Sequence, residues 1–349
     1  MSTKTTARNM VIVVLILGAL GFTAFNYSKQ YSPTAYSDTL HTPTNFTEIQ
    51  EESDYFKIKA IYPTEGLGAS EVGGFILKEV ESFKNFNLLD RFKELSDWEQ
   101  QEFDAGNIDT YSLDISYKIA TNAELITYVV YIEYYSGGAT RGLDVHTFTY
   151  NKNGAKILLN DIFVDSEAIP LLEKKIREKA IEFLGDFTEI EMLDSGINLS
   201  GEKPIYFYIT NEFITFIFPP AVIAPASAGK IELTLNLYDF RKYLNREYID
   251  INILKEGEVR IGIMKIGESE KIFLPCRTNK VYWYVDKTKS LEKKYEEVHE
   301  LADTDVYMKV RGISRQKIGT DPKEALDYDG VFEITEIIET SETSLCKVQ

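Results

Sequence analysis

An apolar run near the amino terminus constrains this chain more than any other feature. Residues 10–25 carry no charge, and Lys4 and Arg8 precede them. A membrane-spanning helix needs about 20 apolar residues, so this run is close to the lower limit unless its polar ends are counted. Because basic residues flank the amino-terminal side, that side is expected to stay in the cytoplasm while the rest of the chain is exported.

The same run could begin a secretory signal peptide, which has a basic start, an apolar core and a small-residue cleavage site. Ala24 is small, but Phe22 two residues before it is bulky, and no cysteine for a lipid anchor ends the core. We therefore favour an uncleaved signal anchor over residues 1–30, with a cleaved signal as the alternative. The sequence predicts a single-pass protein of the cytoplasmic membrane whose soluble part is extracytoplasmic (periplasmic).

Three further regions follow the anchor. Residues 31–50 are rich in Ser, Thr and Pro without periodicity, which predicts a flexible tether.

Residues 51–245 combine helical and strand patterns. Val72, Ile76, Val80 and Phe83 recur every three or four residues, as on one face of a helix, whereas apolar residues alternate over 111–119, as in a half-buried strand. Other predicted helices cover 88–103, 166–184 and 238–244, and other predicted strands cover 55–62, 125–135, 145–150, 155–159, 205–209, 213–218 and 230–237.

This order of elements predicts an α+β fold, with an antiparallel sheet and helices on one face. From residue 250 to 349 the pattern changes to five short strands (258–265, 271–274, 280–285, 305–312 and 330–338) and one helix (290–300). Five strands and a helix in about 95 residues predict a small OB-like β-barrel.

Two short sequences resemble elements of a known family. They are YYSGGA at residues 134–139 and IAPASAG at 223–229. With the hairpin and amphipathic helix between them, they resemble a tandem pair of bacterial extracytoplasmic domains of unknown function. That pair occurs in a lysozyme-sensing anti-sigma factor and in the amino-terminal region of some peptidoglycan deacetylases. The resemblance covers about residues 54–245.

The resemblance implies an envelope domain that binds a lysozyme-like protein or a cell-wall glycan. It does not carry over either known activity, because only about nine residues precede the apolar run and no separate metal-binding catalytic domain follows residue 244. Thr140 and Arg141 also stand where the family has His, and Ala226 replaces its aromatic residue. The residues expected to bind are Tyr134, Tyr135, Ser136, Gly137, Gly138, Pro219, Pro220, Pro225 and Gly229. The alternative is structural: the glycines permit a sharp bend, and the proline segment packs on the body.

Charge and metal-ligand content exclude several function classes. The net charge is −17, and residues 51–150 alone carry 18 acidic and eight basic residues. This acidic balance disfavours binding of nucleic acid, because a protein that binds its phosphate groups needs a basic surface. It allows an acidic face for a basic protein, with Glu99, Glu102 and Asp104 as candidates and a solvated surface as the alternative.

Three histidines and two cysteines without short spacing predict no zinc site and no other cofactor. His146, on an alternating strand, is expected to be structural, and Cys276 and Cys346 could form a disulfide in an oxidising compartment. The first hypothesis is a binding or sensor protein, without catalytic residues. The second is an envelope glycan hydrolase or deacetylase that uses carboxylates, and the third is a structural adaptor of an envelope assembly, docked through the barrel. Whether the protein is an enzyme is left open.

Overall fold

The computed structural model describes residues 40–42, 44–52, 56–85, 101, 105, 110–137, 140–185, 188–201, 204–267, 270–276, 278–299 and 306–341. The apolar run at 10–25 and almost all of the helix predicted at 88–103 lie outside these residues. Within them, no helix combines the length and the hydropathy needed to cross a bilayer.

The first layer is a mixed six-stranded sheet. Its strands are β1 (Leu40–His41), β2 (Phe46–Glu52), β3 (Phe56–Pro63), β4 (Tyr111–Thr121), β5 (Leu125–Tyr135) and β6 (Gly142–Asn151). The order is β2-β3-β4-β5-β6, and β1 pairs with the far end of β4. All pairs are antiparallel except β3 with β4. Parallel neighbours need a long crossover, and helix α1 (Ala69–Lys84) lies in that connection.

The side-chain pattern explains how this layer packs. In β4 the alternating residues Leu113, Ile115 and Tyr117 face α1, whose Val72 and Ile76 complete one core cluster. In β5 residues 127–132 are all buried, and all except Thr127 are apolar or aromatic, because both faces of the strand are covered. One face packs on α1 and the other on the second sheet.

The second layer is a three-stranded antiparallel sheet with the order β7-β8-β9. Its elements are β7 (Tyr206–Ile209), β8 (Phe213–Phe218), β9 (Ile231–Asn236), α2 (Ala168–Leu184) and α3 (Ile190–Gly196). The predicted stripe of α2, including Leu172, Ile176 and Ala180, is fully buried against this sheet. Gly185 ends the helix with φ +54, a conformation that favours glycine.

The carboxyl-terminal unit is a closed five-stranded barrel with the order β10-β11-β12-β14-β13. Its elements are β10 (Glu258–Ile266), β11 (Lys271–Pro275), β12 (Tyr282–Asp286), α4 (Leu291–His299), β13 (Val306–Arg315) and β14 (Gly330–Ser341). The pair β12–β14 is parallel and β10–β13 closes the barrel. The α+β fold class and the OB-like barrel are therefore confirmed.

Four segments differ in detail from the sequence-based predictions. The segment predicted as tether contains β1 and β2 from residue 40 onward, while residues 31–39 lie outside the described residues. Residues 155–159 form only an isolated bridge before a 3-10 helix at Leu159–Ile162. Helix α3 was not predicted, and the helix predicted at 238–244 is a 3-10 turn, Leu237–Phe240. These elements are short or exposed, so burial gives them little periodic signal.

Candidate functional site

The strongest candidate for a binding site in the two sheets is a cleft of about 280 Å³. It lies where the start of β6, the strands β7 and β8 and the segments before and after them meet. Its lining is mainly apolar, with Asp144, Asn198 and Tyr206 as the polar side chains. The other described lining residues are Leu143, Gly196, Leu199, Pro204, Ile205, Phe216, Ile217, Phe218, Pro219, Pro220 and Val222.

The proline segment forms one wall of the cleft because its sequence ends β8. Pro219 and Pro220 have no N–H to continue the ladder, and the Pro219 carbonyl accepts the Val222 N–H at 3.3 Å in a turn. Ala221 has a left-handed φ of +64, which is unfavourable for a residue with a Cβ. A Cβ at Gly196 would clash with the Val222 carbonyl oxygen, so glycine is required where α3 ends against this turn.

Aromatic packing fixes the side of the cleft formed by β6 and β7. The His146 ring lies 4.7 Å from the Phe75 ring and 5.4 Å from the Tyr206 ring, measured between centroids. Burial lowers the pKa of His146, although Asp144 and Glu79 act in the opposite direction. The surroundings of the imidazole therefore favour its neutral form, which agrees with a structural role.

Tyr206 contributes a phenol to the described lining. Burial raises its pKa, and the nearby Asp144 carboxylate adds to the effect. Tyr206 is half-buried, whereas Asp144 and Asn198 are exposed at the rim. The cleft thus presents a neutral hydroxyl, one carboxylate and one amide around an apolar interior.

The described residues of the YSGG loop, 134–137, lie beside the cleft and do not belong to its described lining. In the β5–β6 hairpin, Tyr134 pairs with Gly142, and the two residues after Gly142 line the cleft. Gly137 has φ +87, and a Cβ there would lie 3.2 Å from the Tyr111 ring. Tyr135 has the Arg141 guanidinium 5.8 Å from its ring centroid. Ser136 is half-buried beside it, and Gly138 lies outside the described residues. At position 137, the positive φ favours glycine whether or not the loop also contacts a ligand.

The predicted binding residues of the proline segment divide into two groups. Pro219 and Pro220 line the cleft, whereas Pro225 and Gly229 do not belong to its described lining. Gly229 has φ +68 and leads into Lys230, whose ammonium lies 4.6 Å from the Tyr131 ring centroid and 2.5 Å from the Glu232 carboxylate. This pair is only 20% and 13% exposed. It fixes the end of the segment against the first sheet.

The polar groups of the cleft could not be predicted from the sequence. Asp144, Asn198 and Tyr206 belong to three separate segments, and none has a local motif. The predicted acidic face, Glu99, Glu102 and Asp104, lies outside the described residues. Cys276 is disulfide-bonded, and Cys346 also lies outside the described residues, so the pairing of the two stays a prediction that intact mass without reductant can test.

The described lining of the cleft supplies groups that can bind a ligand. Asp144 is the one carboxylate among the described lining residues, whereas glycoside hydrolysis by carboxylates needs two of them about 5–10 Å apart. Throughout the described ranges, no group of three or more His, Cys, Asp or Glu side chains is placed to hold a metal ion. Apolar walls with a few polar groups at the rim are typical of sites that bind a ligand by shape.

Comparisons with known proteins give a family match over one part of the chain. Residues 160–238, which contain α2, α3, β7, β8 and β9, match the model described as "Protein of unknown function (DUF3298)". No curated protein matches the chain.

Two solved structures of this family are similar to the chain. A member from Bacteroides fragilis has 17% identity and a TM-score of 0.43, and the match covers 59% of this chain and 95% of that one. A DUF3298 family protein from Pseudomonas aeruginosa has 14% identity and a TM-score of 0.39, with 60% and 96% covered.

Proposed function

We propose that this chain, with its DUF3298 match over residues 160–238, is a membrane-anchored extracytoplasmic binding or sensor protein of the bacterial envelope. Its proposed ligand is a lysozyme-like protein or a cell-wall glycan. The observation that carries the proposal is the apolar cleft between the two sheets, with its few polar groups at the rim. The apolar run at 10–25 and the resemblance around residues 134–139 and 223–229 support the compartment and the ligand class.

The properties of the cleft favour a protein ligand over a glycan. A volume of about 280 Å³ suits one apolar side chain that protrudes from a partner, as anchor residues do at protein interfaces. Asp144 is exposed at the rim, and the chain carries a net charge of −17, so a basic protein would be attracted towards it. A sugar ring would need a free aromatic face, whereas the Tyr206 ring already packs on His146.

Calorimetric titration of the full-length protein in a mild detergent tests this proposal. A C-type lysozyme and an oligomer of N-acetylglucosamine serve as the two probes. Leu143→Arg places a charged side chain in the half-buried mouth of the cleft and should weaken lysozyme binding by more than about tenfold, because the apolar contact is lost. Ile253→Arg is the control, since Ile253 is 40% exposed and lies outside the described lining.

The contribution of charge can be measured separately. Asp144→Asn should slow lysozyme association roughly two- to threefold at low salt and have little effect at high salt, because long-range attraction is screened. Asp114→Asn is the matched control, as Asp114 is an exposed residue of β4 outside the cleft. Binding of the glycan alone would select the glycan as ligand, and binding of neither probe would contradict the proposal.

The two other hypotheses remain predictions with their own tests. A hydrolase or deacetylase would release soluble products from purified peptidoglycan, and the absence of such products would contradict this hypothesis. A structural adaptor would bind an envelope assembly through residues 250–349, and deletion of that unit would abolish the binding. Sequencing the amino terminus of the mature protein distinguishes the uncleaved anchor from a cleaved signal.

A further inference from the structure

Strand β2 forms an open edge of the first sheet. It pairs with β3 on one side, and no strand among the described residues pairs with its other side. Five of its seven residues are exposed. At the opposite edge, by contrast, β6 is bridged through Tyr150 to Lys156, and its Thr147 Oγ1 accepts the Phe207 N–H at 3.2 Å. The outer side of β2 is therefore available to a further strand.

The backbone of β2 is regular enough to accept such a strand. In an antiparallel pair, every second residue turns its N–H and C=O away from its partner, so an edge strand presents a row of these groups. The pairing of β2 with β3 runs from Phe46 to Glu52 without a register shift, so it contains no bulge. The strand also contains no proline and no lysine, which are common means of keeping an edge from pairing. Its three glutamates therefore decide which strand fits.

Two of the three glutamates are already paired within the chain. Lys84 of α1 binds Glu51 at 2.6 Å, and Lys57 of β3 binds Glu52 at 2.7 Å. Glu48 is exposed and makes no ion pair with another described residue. The edge as a whole is thus close to neutral, and net charge does not select its partner. The order of charged and neutral residues along the strand has to match instead, position by position.

A second copy of β2 matches this order when the two strands run antiparallel with Ile49 at the centre. Every glutamate then lies opposite a neutral residue of the second copy. The opposed pairs are Phe46 with Glu52, Thr47 with Glu51, Glu48 with Gln50, and Ile49 with itself. This register also pairs all seven residues of the strand, so it forms the largest number of backbone hydrogen bonds that β2 allows.

The neighbouring registers place like charges opposite each other. Opposed residues of antiparallel strands lie on the same face, so the two-fold axis has to pass through a residue position if both copies of α1 are to cover the same face. An axis at Glu48 would oppose the two copies of this residue, and an axis at Gln50 would oppose Glu48 and Glu52. Directly opposed like charges are destabilising. The charges thus select the register centred on Ile49.

We propose that β2 is a dimerisation edge, through which two copies of this chain join their first sheets into one continuous sheet. The strands pair antiparallel around Ile49, and the two-fold symmetry forms each backbone contact and each side-chain pair twice. Phe46, which is 44% exposed, is covered in the dimer by the side chain of Glu52 of the second copy. The contact is independent of the cleft between the sheets and of the ligand proposed there.

Disulfide formation in the full-length protein, in a mild detergent with a mild oxidant, tests the register. Ile49→Cys places two thiols directly opposite each other, where the Cα atoms of paired strands are close enough for a disulfide. Thr47→Cys is the matched control, because its two copies are four residues apart along the strands, more than about 13 Å. The unaltered protein gives the background from Cys276 and Cys346.

We expect a linked dimer from Ile49→Cys and at least tenfold less of it from Thr47→Cys, measured on a non-reducing gel. The double variant Thr47→Cys with Glu51→Cys should link again, because these two positions oppose each other. It leaves the half-buried Ile49 intact, so it keeps the test valid if Ile49→Cys folds poorly.

The charge at residue 50 tests the side-chain pairing, with sedimentation equilibrium as the measurement. Gln50→Lys should tighten the dimer about fivefold, because each dimer gains two pairs with Glu48, and Gln50→Glu should weaken it by a similar factor. Within one copy the order is reversed, since residue 50 lies opposite Lys59 of β3. Opposite signs for dimerisation and for thermal stability therefore separate the contact from an effect on folding.

Three results would overturn the proposal. The first is a protein that stays monomeric up to about 100 μM, a concentration at which weak specific association is detectable. The second is a dimer that neither Ile49→Cys nor the double cysteine variant links, or that Thr47→Cys links equally well, because the copies would then associate through another surface or register. The third is the same dimerisation constant for Gln50→Lys and Gln50→Glu.

Discussion

The second sheet contacts both the first sheet and the barrel, and these two contacts differ in chemistry. The first sheet meets the second through apolar side chains: Val129 and Val145 of the first sheet lie against Tyr208 and Ile217 of the second, and all four are at most 2% exposed. We call this the apolar contact. It derives its free energy from burial, which does not depend on direction.

The barrel meets the second layer through charged side chains. Arg311 of β13, which is 4% exposed, binds Glu212 in the β7–β8 turn at 2.8 Å and Glu336 of β14 at 2.9 Å. Arg260 of β10 binds Glu182 of α2 at 2.9 Å. We call this the charged contact. One oxygen of Glu212 and one nitrogen of Arg311 are buried and have no hydrogen-bond partner among the described residues.

The two contacts are expected to respond differently to changes in orientation and to single substitutions. Apolar burial tolerates small shifts in orientation, whereas ion pairs fix it through short directional contacts. Removing one partner of a buried ion pair leaves an uncompensated charge, which costs more than the pair contributes. We therefore expect single substitutions to affect the charged contact most strongly.

The largest expected effect is that of Arg311→Met. The loss of the guanidinium leaves Glu212 without a partner, and the free energy of unfolding should fall by about 3–5 kcal/mol. Equilibrium denaturation measures this change. The double variant Glu212→Gln with Arg311→Met should recover most of the loss, because no buried charge is then unpaired. Equal losses in the single and double variants would show that packing, and not charge, is the cause.

In the apolar contact, Ile217→Ala should lower the free energy of unfolding by about 2–4 kcal/mol, because it leaves a cavity at a residue that is 2% exposed. This loss should be the same at low and high salt. Ile253→Ala, at a residue that is 40% exposed, is the control and should cost about 0.5 kcal/mol or less. A salt-dependent loss for Ile217→Ala would contradict the distinction between the two contacts.

One titratable group lies at the edge of the apolar contact. The pKa of His146 is lowered by burial, so the unfolded chain binds more protons than the folded one near and below pH 6.5. Stability from this group is present above that pH and is lost as the pH falls through the lowered pKa. Melting temperatures from pH 8 to pH 5 should therefore decrease, and His146→Phe should flatten the profile. An unchanged profile in that variant would assign the loss to other groups.

The smallest effect is expected at the rim of the charged contact. Lys179 lies 3.2 Å from Glu258, and the lysine side chain is 35% exposed. Burial alone would raise the pKa of Glu258, but Lys179 and Arg260 together hold it below its usual value. Because Arg260 remains and solvent screens the lysine, Lys179→Met should cost about 0.5 kcal/mol. A loss as large as that of Arg311→Met would show that the whole contact acts as one unit.

Much of the fold was predictable from local patterns. The spacing of Val72, Ile76 and Val80 predicted α1, and the alternation in 111–119 predicted β4. The five barrel strands and their helix were also predicted near their observed positions. Strand β2 was missed because only two of its seven residues, Ile49 and Glu51, are half-buried and the rest are exposed, so its stability comes from backbone pairing with β3 and leaves no apolar period.

The candidate sites were less predictable. Pro219 and Pro220 were predicted to bind and do line the cleft, but Asp144 and Tyr206, which complete it, come from strands more than 60 residues apart. In the barrel, Tyr284 has the pattern of an ordinary core residue. Only the packing around it shows that its hydroxyl lacks a hydrogen-bond partner among the described residues.

The sequence by itself determined the elements, because the 3.6-residue turn of a helix and the two-residue repeat of a strand impose a period on whichever side chains are buried. It also determined the charge and the apolar amino-terminal run. The tertiary structure alone decided which strands are parallel, which faces meet, and where a cleft or an unpaired hydroxyl is left. Those features depend on contacts between residues distant in the chain, and such contacts impose no period on the local sequence.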